Sequence, residues 1–177
     1  MKQSEGEILM KKFIIMAIFV LSTLLIVTAC STESVKSEPE ISLNFNVSNL
    51  TDEEFLYVGT KRLDNPTQND FKNIEFTLDV KNSDEISNRK ITISDLKAVS
   101  NSYDKSRYWF GNFDTDDSPI NKYAKYSSKF VFYSNGLTEH DIKNIFNSSE
   151  VKISWTASNG KNEEKTIKLG EVIKFQS

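Results

Sequence analysis

The chain has 177 residues, 38% of them hydrophobic, with 22 Lys and Arg against 25 Asp and Glu and a formal net charge of -3. A mildly acidic chain without a basic cluster lacks what phosphate neutralisation demands, which argues against nucleic acid as a partner. The single cysteine, Cys30, and the single histidine, His140, exclude an internal disulfide and a zinc site built from four cysteine and histidine ligands.

The first element in chain order is a leader. Lys11 and Lys12 precede a largely apolar run from Phe13 to Val27, which is followed by the small residues Thr28 and Ala29 and then by Cys30. A positive start, an apolar stretch and small residues at the cut are the three parts of an export signal. The run of 15 residues falls short of the ~20 that span a bilayer comfortably, so residues 1–29 are predicted to be a signal peptide. Two glutamates make residues 1–9 a poor basic start. Translation is predicted from Met10, because codons for Ser4-Glu5-Gly6-Glu7 can spell a purine-rich ribosome-binding sequence ahead of it.

Val27-Thr28-Ala29-Cys30 resembles the lipobox of bacterial lipoproteins, in which a diacylglyceryl group joins the cysteine before the leader is removed. The resemblance implies lipidation of Cys30, with two acyl chains that satisfy the two-signal requirement for stable anchoring. It also consumes a thiol that would otherwise be reactive outside the cell. The expected location is the extracytoplasmic face of the cell membrane. Freedom from disulfides and richness in Asn, Lys, Ser and Ile point to a low-GC Gram-positive source.

Ser31 to Glu40 is polar, contains Pro39 and lacks apolar periodicity, so residues 30–40 read as the lipidated cysteine and a flexible tether. Ten extended residues reach at most roughly 35 Å. Loss of Lys2, Lys11, Lys12, Glu5 and Glu7 with the leader takes the formal charge from -3 to -4. The remaining 148 residues suffice for one domain, assigned to 41–177.

From Ile41 the apolar period becomes two. Ile41, Leu43, Phe45 and Val47 alternate with polar residues, as do Ile74, Phe76, Leu78 and Val80, which predicts two strands with one buried face each. Phe55-Leu56-Tyr57-Val58 suggests a short edge piece. A third run starts at Ile91 and Ile93 and is read as continuing through Leu96 and Ala98, with an irregularity at Ser94-Asp95. Further strands are expected around 108–110, 127–133, 151–156, 164–169 and 172–175, with Asn159-Gly160 as the strongest hairpin signal. One segment breaks the pattern: Thr138 caps a predicted short helix with Glu139 and Asp141 in its first turn and Ile142, Ile145 and Phe146 on one face.

Roughly eight strands and one connecting helix predict a mainly β domain, an antiparallel β-sandwich. The architecture resembles the immunoglobulin-like sandwiches of bacterial surface lipoproteins. The Cys, Trp, Cys framework of true immunoglobulin domains is missing.

Chemistry is sparse. His140 lies in the first turn of the predicted helix, on its solvent side. No Gly-x-Ser-x-Gly or Gly-rich phosphate loop is present, and the Ser-x-x-Lys matches at Ser87 and Ser102 lack their companion motifs. Asp114, Asp116 and Asp117 fall in an expected loop from Phe113 to Pro119. Such carboxylates suit a hard cation, but Pro119 and Lys125 stand where an EF-hand needs glycine and glutamate, so calcium is a weak expectation.

Ten aromatic residues fall between Tyr103 and Tyr133. Adjacent strand residues such as Trp109 and Phe110 are expected on opposite faces. Phe110, Phe130 and Phe132 are assigned to the core. Tyr103, Tyr108, Trp109, Tyr123 and Tyr126 are the candidate binding patch.

The expectation is therefore a membrane-anchored, non-catalytic binding or accessory module without a cofactor. Recognition of an envelope or secreted protein comes first. Capture of a small ligand or calcium is the alternative, and a cell-wall hydrolase ranks last.

Overall fold

The computed structural model describes residues 38–61, 63–104, 106–117 and 122–176. The leader, the Val27-Thr28-Ala29-Cys30 lipobox and the tether up to residue 37 lie outside the described residues.

β1 (Glu40–Asn49) and β2 (Phe71–Lys81) form where the sequence alternates, and they pair antiparallel with Leu43 opposite Leu78 and Phe45 opposite Phe76. With β4 (Tyr108–Asp117), β5 (Tyr123–Tyr133) and β8 (Ile173–Phe175) they make a five-stranded sheet of order β4-β5-β2-β1-β8. All its pairings are antiparallel except β8, which runs parallel to β1 with Phe45 opposite Ile173 and Val47 opposite Phe175. β3 (Ser87–Ile93), β6 (Glu150–Thr156) and β7 (Asn162–Lys168) form an antiparallel three-stranded sheet of order β3-β6-β7.

The two sheets share one core, so the domain is a β-sandwich. Phe45, Ile74, Phe76, Leu78, Phe130 and Phe132 come from the larger sheet, and Val151, Ile153 and Trp155 from the smaller. A short helix, labelled α3 below (Glu139–Phe146), closes one end of that core as its spacing predicts. Its capping box joins Thr138 and Asp141, and its buried Phe146 meets Phe45 edge-on at 5.0 Å. The β6–β7 turn holds Gly160 at φ 79°, a left-handed conformation that glycine adopts without a Cβ penalty.

Among the described residues three further α-helices correct the one-helix expectation, α1 (Asp52–Leu56), α2 (Leu96–Asn101) and α4 (Leu169–Val172), beside a single 3-10 turn at Gln68–Asp70. Phe55 and Leu56 belong to α1 and are no edge strand, because the Thr51 hydroxyl accepts from Glu54 N while the Glu54 carboxylate takes Thr51 N at 2.8 Å. Leu96 and Ala98 do not continue β3. Asp95 accepts from the backbone N–H groups of Lys97 and Ala98 and so starts a helix there.

Arg107 pins the entry to β4. Its side chain is almost wholly buried; Nε and Nη2 reach Asp104 at 2.8 and 2.6 Å, and Nη1 donates to the carbonyls of Tyr133 and Asn135.

Candidate functional site

The outer side of the larger sheet, away from the shared core, carries a second, smaller apolar cluster. Leu50, Val58, Phe71 and Val131 are buried there, with Phe55, Leu63, Trp109 and Tyr133 packed against them. It forms because β2 departs from strict alternation: Phe71 and Asn73 are buried on the face opposite Ile74 and Phe76. α1 lies over that cluster through Phe55, whose ring is 6.0 Å from Phe71. The same short helix leaves its last residue and its C-cap uncovered, with Leu56 81% and Tyr57 76% exposed.

A bulge completes the site. Tyr108 stands opposite Phe132 and Phe110 opposite Val131, so Trp109 is the extra residue on β4. The bulge sends Trp109 and Phe110 to the same face, which overturns the expectation of opposite faces. Trp109 packs on Phe71 and Tyr133 at 5.7 and 5.8 Å, while Phe110 is 44% exposed and is not a core residue. Gly111 follows, where an added Cβ would collide with Phe130 and with the carbonyl oxygen of Lys129.

Between α1 and β4 lies a largely apolar groove of about 490 Å³, bounded by Tyr57, Phe110, Asn112 and Val131, with Glu54, Asn73 and Lys129 at its polar side. Lys129 Nζ stands 3.0 Å from Glu75 and 3.3 Å from Glu54. The hydrogen bond to Glu75 is the main cause that raises the Lys129 ammonium above its usual range, so it carries its charge at neutral pH. The Thr51 backbone N–H holds the Glu54 carboxyl below its usual range, and Asn73 and Lys129 add to the effect. The groove therefore combines an apolar floor with a fixed pair of opposite charges.

The five aromatic residues expected to form one patch are divided by the sheet. Trp109 and Tyr123 lie on its outer face, and the Tyr123 hydroxyl bonds to Asp79. Tyr108 and Tyr126 belong to the inner face: Tyr108 stacks on Phe130 at 4.8 Å, and Tyr126 donates to Asp117. Tyr103 is exposed in the turn after α2. The groove residues Glu54, Tyr57 and Lys129 were missed by sequence reasoning. Thr51-x-x-Glu54 was the available signal for α1, but nothing local joins that helix to Lys129.

Asp114, Asp116 and Asp117 lie in β4 and not in a loop. Alternation then separates them: Asp114 and Asp116 share the outer face, while Asp117 is on the inner face, where Arg89 Nη2 reaches one oxygen at 2.5 Å and the Tyr126 hydroxyl the other at 2.6 Å. Among the described residues no three His, Cys, Asp or Glu side chains are grouped to hold a metal. His140 is exposed on α3. Ser87 and Lys90 lie at the two ends of the β3 irregularity.

No protein-family model, curated protein or solved structure matches the chain. Among the described residues no helix is long and apolar enough to cross a membrane.

Proposed function

We propose that the chain is a lipoprotein anchored by lipid on the extracytoplasmic face of the cell membrane, and that its sandwich is a non-catalytic module that recognises another protein beside β4. One observation carries the recognition reading: Tyr57 and Phe110 stand exposed around an apolar groove that has Lys129 and Glu54 at its side, and Leu56, next to Tyr57 in the chain, is exposed as well. Aromatic anchors around an apolar centre, with polar groups at the rim, are the composition that protein interfaces favour. The anchor reading rests on Lys11-Lys12, the apolar run and Val27-Thr28-Ala29-Cys30.

The test uses the full chain with its leader in a Gram-positive host, crosslinked in cells and recovered from detergent-solubilised envelope. The expected result is a protein partner that a folded Tyr57→Ala, Phe110→Ala double variant loses. Equal recovery by both forms overturns the recognition face. Incorporation of a labelled fatty acid, abolished by Cys30→Ala, is expected for the anchor; an unlabelled parent chain overturns it.

A further inference from the structure

Among the described residues four strands end a sheet, and three of them are guarded against further pairing. β8 has only three residues. β7 carries Glu163, Glu164, Lys165 and Lys168 among its seven residues. β3 is interrupted between Ser87 and Lys90, with Asn88 at φ 54°, and carries Arg89 and Lys90. Shortness, charge and irregularity are the devices that keep edges from pairing.

β4 differs. Its bulge lies at its start, and from Phe110 to Asp117 its register against β5 runs without a break. Phe110 to Phe113 contains no charged residue, and both phenylalanines are exposed. Among the described residues no strand pairs with its outer edge. An antiparallel edge strand turns the N–H and C=O of every second residue away from its one partner.

Two grooves flank this edge. The outer one reaches β4 at Phe110 and Asn112, and a second, of about 310 Å³, reaches it from the inner side at Tyr108 and Phe113. A strand laid along β4 points alternate side chains to the two faces, so each of its rows meets a groove. The far half of the edge is acidic. Asp114 and Asp116 share the outer face, and among the described residues neither is in an ion pair, whereas Asp117 is held by Arg89.

We infer that β4, from Phe110 to Asp117, accepts an extended segment of a partner protein as an added strand. Main-chain hydrogen bonds to the open edge supply binding, and the grooves select alternate side chains. The segment carries apolar residues beside Phe110 and Asn112 and Lys or Arg beside Asp114 and Asp116, all on its outer-face row. This rests on the protein-recognition reading above and specifies the form of the partner.

The test titrates the full chain in detergent micelles with octapeptides that alternate threonine with valine over one half and with lysine over the other, made in both orders. Backbone amide hydrogen exchange along 110–117 is the readout. One order is expected to bind and protect alternate amides of β4. Replacing its lysines by glutamates is expected to weaken binding about fivefold to tenfold, the scale of two cross-strand charge pairs. An Asp114→Lys, Asp116→Lys variant is expected to reverse that preference.

Methylation of alternate peptide nitrogens removes the donors of one edge, and methylation of the other set serves as control. If every methylated form binds like the parent, strand addition is overturned while groove recognition stands. If neither order protects β4, the inference fails, and the envelope crosslinking decides separately whether the groove still binds a protein. If β4 is protected without peptide and the chain dimerises, a second copy occupies the edge and the inference fails as well.

Discussion

Tyr126 donates its hydroxyl hydrogen bond to Asp117 at 2.6 Å, on the carboxylate that Arg89 holds through its other oxygen. Arg89 belongs to the smaller sheet and the other two to the larger, so this chain of contacts ties the two sheets near the β4–β5 turn. Burial, followed by the hydrogen bond to Asp117, pushes the Tyr126 hydroxyl up to about 12 from an ordinary 10.0.

A group whose folded value is raised contributes stability that is fully present below its unfolded value and lost as pH rises through the folded one. Stability is therefore expected to fall between pH 10.0 and about 12. Urea midpoints taken across that range check it. Tyr126→Phe is expected to make the decline shallower and to cost about 1 kcal/mol at neutral pH, the scale of one hydrogen bond. An unchanged slope would sink the assignment.

At acid pH two capping boxes contribute: Thr138 with Asp141 on α3, and Thr67 with Asp70, whose carboxylate accepts from the Thr67 backbone N–H at 2.7 Å. Side-chain and backbone hydrogen bonds from Thr138 hold Asp141 below the usual 3.8, and the Thr67 backbone N–H does the same for Asp70. Lowered carboxyl values contribute stability above the unfolded value and lose it as pH falls through the folded one. Melting temperatures are expected to drop below pH 3.8, less steeply in Asp141→Asn. Thr138→Ala is expected to cost about 1 kcal/mol by removing the cap hydroxyl.

The two faces of the larger sheet predict opposite outcomes for two phenylalanines. Phe146→Ala opens a cavity against Phe45 and Phe132 and is expected to cost about 3–5 kcal/mol. Phe110→Ala, at an exposed position, is expected to change stability by no more than about 0.5 kcal/mol. Chemical denaturation of both variants checks the pair, and a large loss in Phe110→Ala would place that ring in the core after all.

Gly111→Ala is expected to destabilise by about 1–3 kcal/mol, since the new methyl meets backbone of β5 as well as Phe130. Arg107→Lys is expected to cost about 2 kcal/mol, because an ammonium cannot reproduce a fork that serves Asp104 and two carbonyls at once. Denaturant midpoints measure both.

Much of the fold is legible along the chain because its signals are local. Ile41 to Val47 and Ile74 to Val80 alternate, Asn159-Gly160 marks its turn, and Thr138 with Ile142, Ile145 and Phe146 defines α3. The errors come from short pieces whose local signals compete. Asp95 starts a helix, yet Leu96 and Ala98 also prolong the alternation of Ile91 and Ile93. Phe55 to Val58 is apolar enough to read as a strand, and the Thr51 box decides otherwise.

The candidate site was less legible for a different reason. The face that Phe110 takes is set by how β4 registers against β5, a relation between distant residues. One bulged residue, Trp109, exchanges the two faces for everything before it relative to everything after it. The groove then draws on α1, β2, β4 and β5 at once.

The parallel strand β8 sets the order in which the sheet can be finished. Its partner residues in β1, Phe45 to Val47, are among the first of the domain to be synthesised, and Ile173 to Phe175 among the last. Until Ile173 to Phe175 have left the ribosome, the side of β1 that faces β8, from Phe45 to Val47, has no partner strand. A loop this long is slow to close. Removing Ile173 to Phe175 thus bares the backbone of β1 from Phe45 to Val47 and leaves an unpaired border open to other strands.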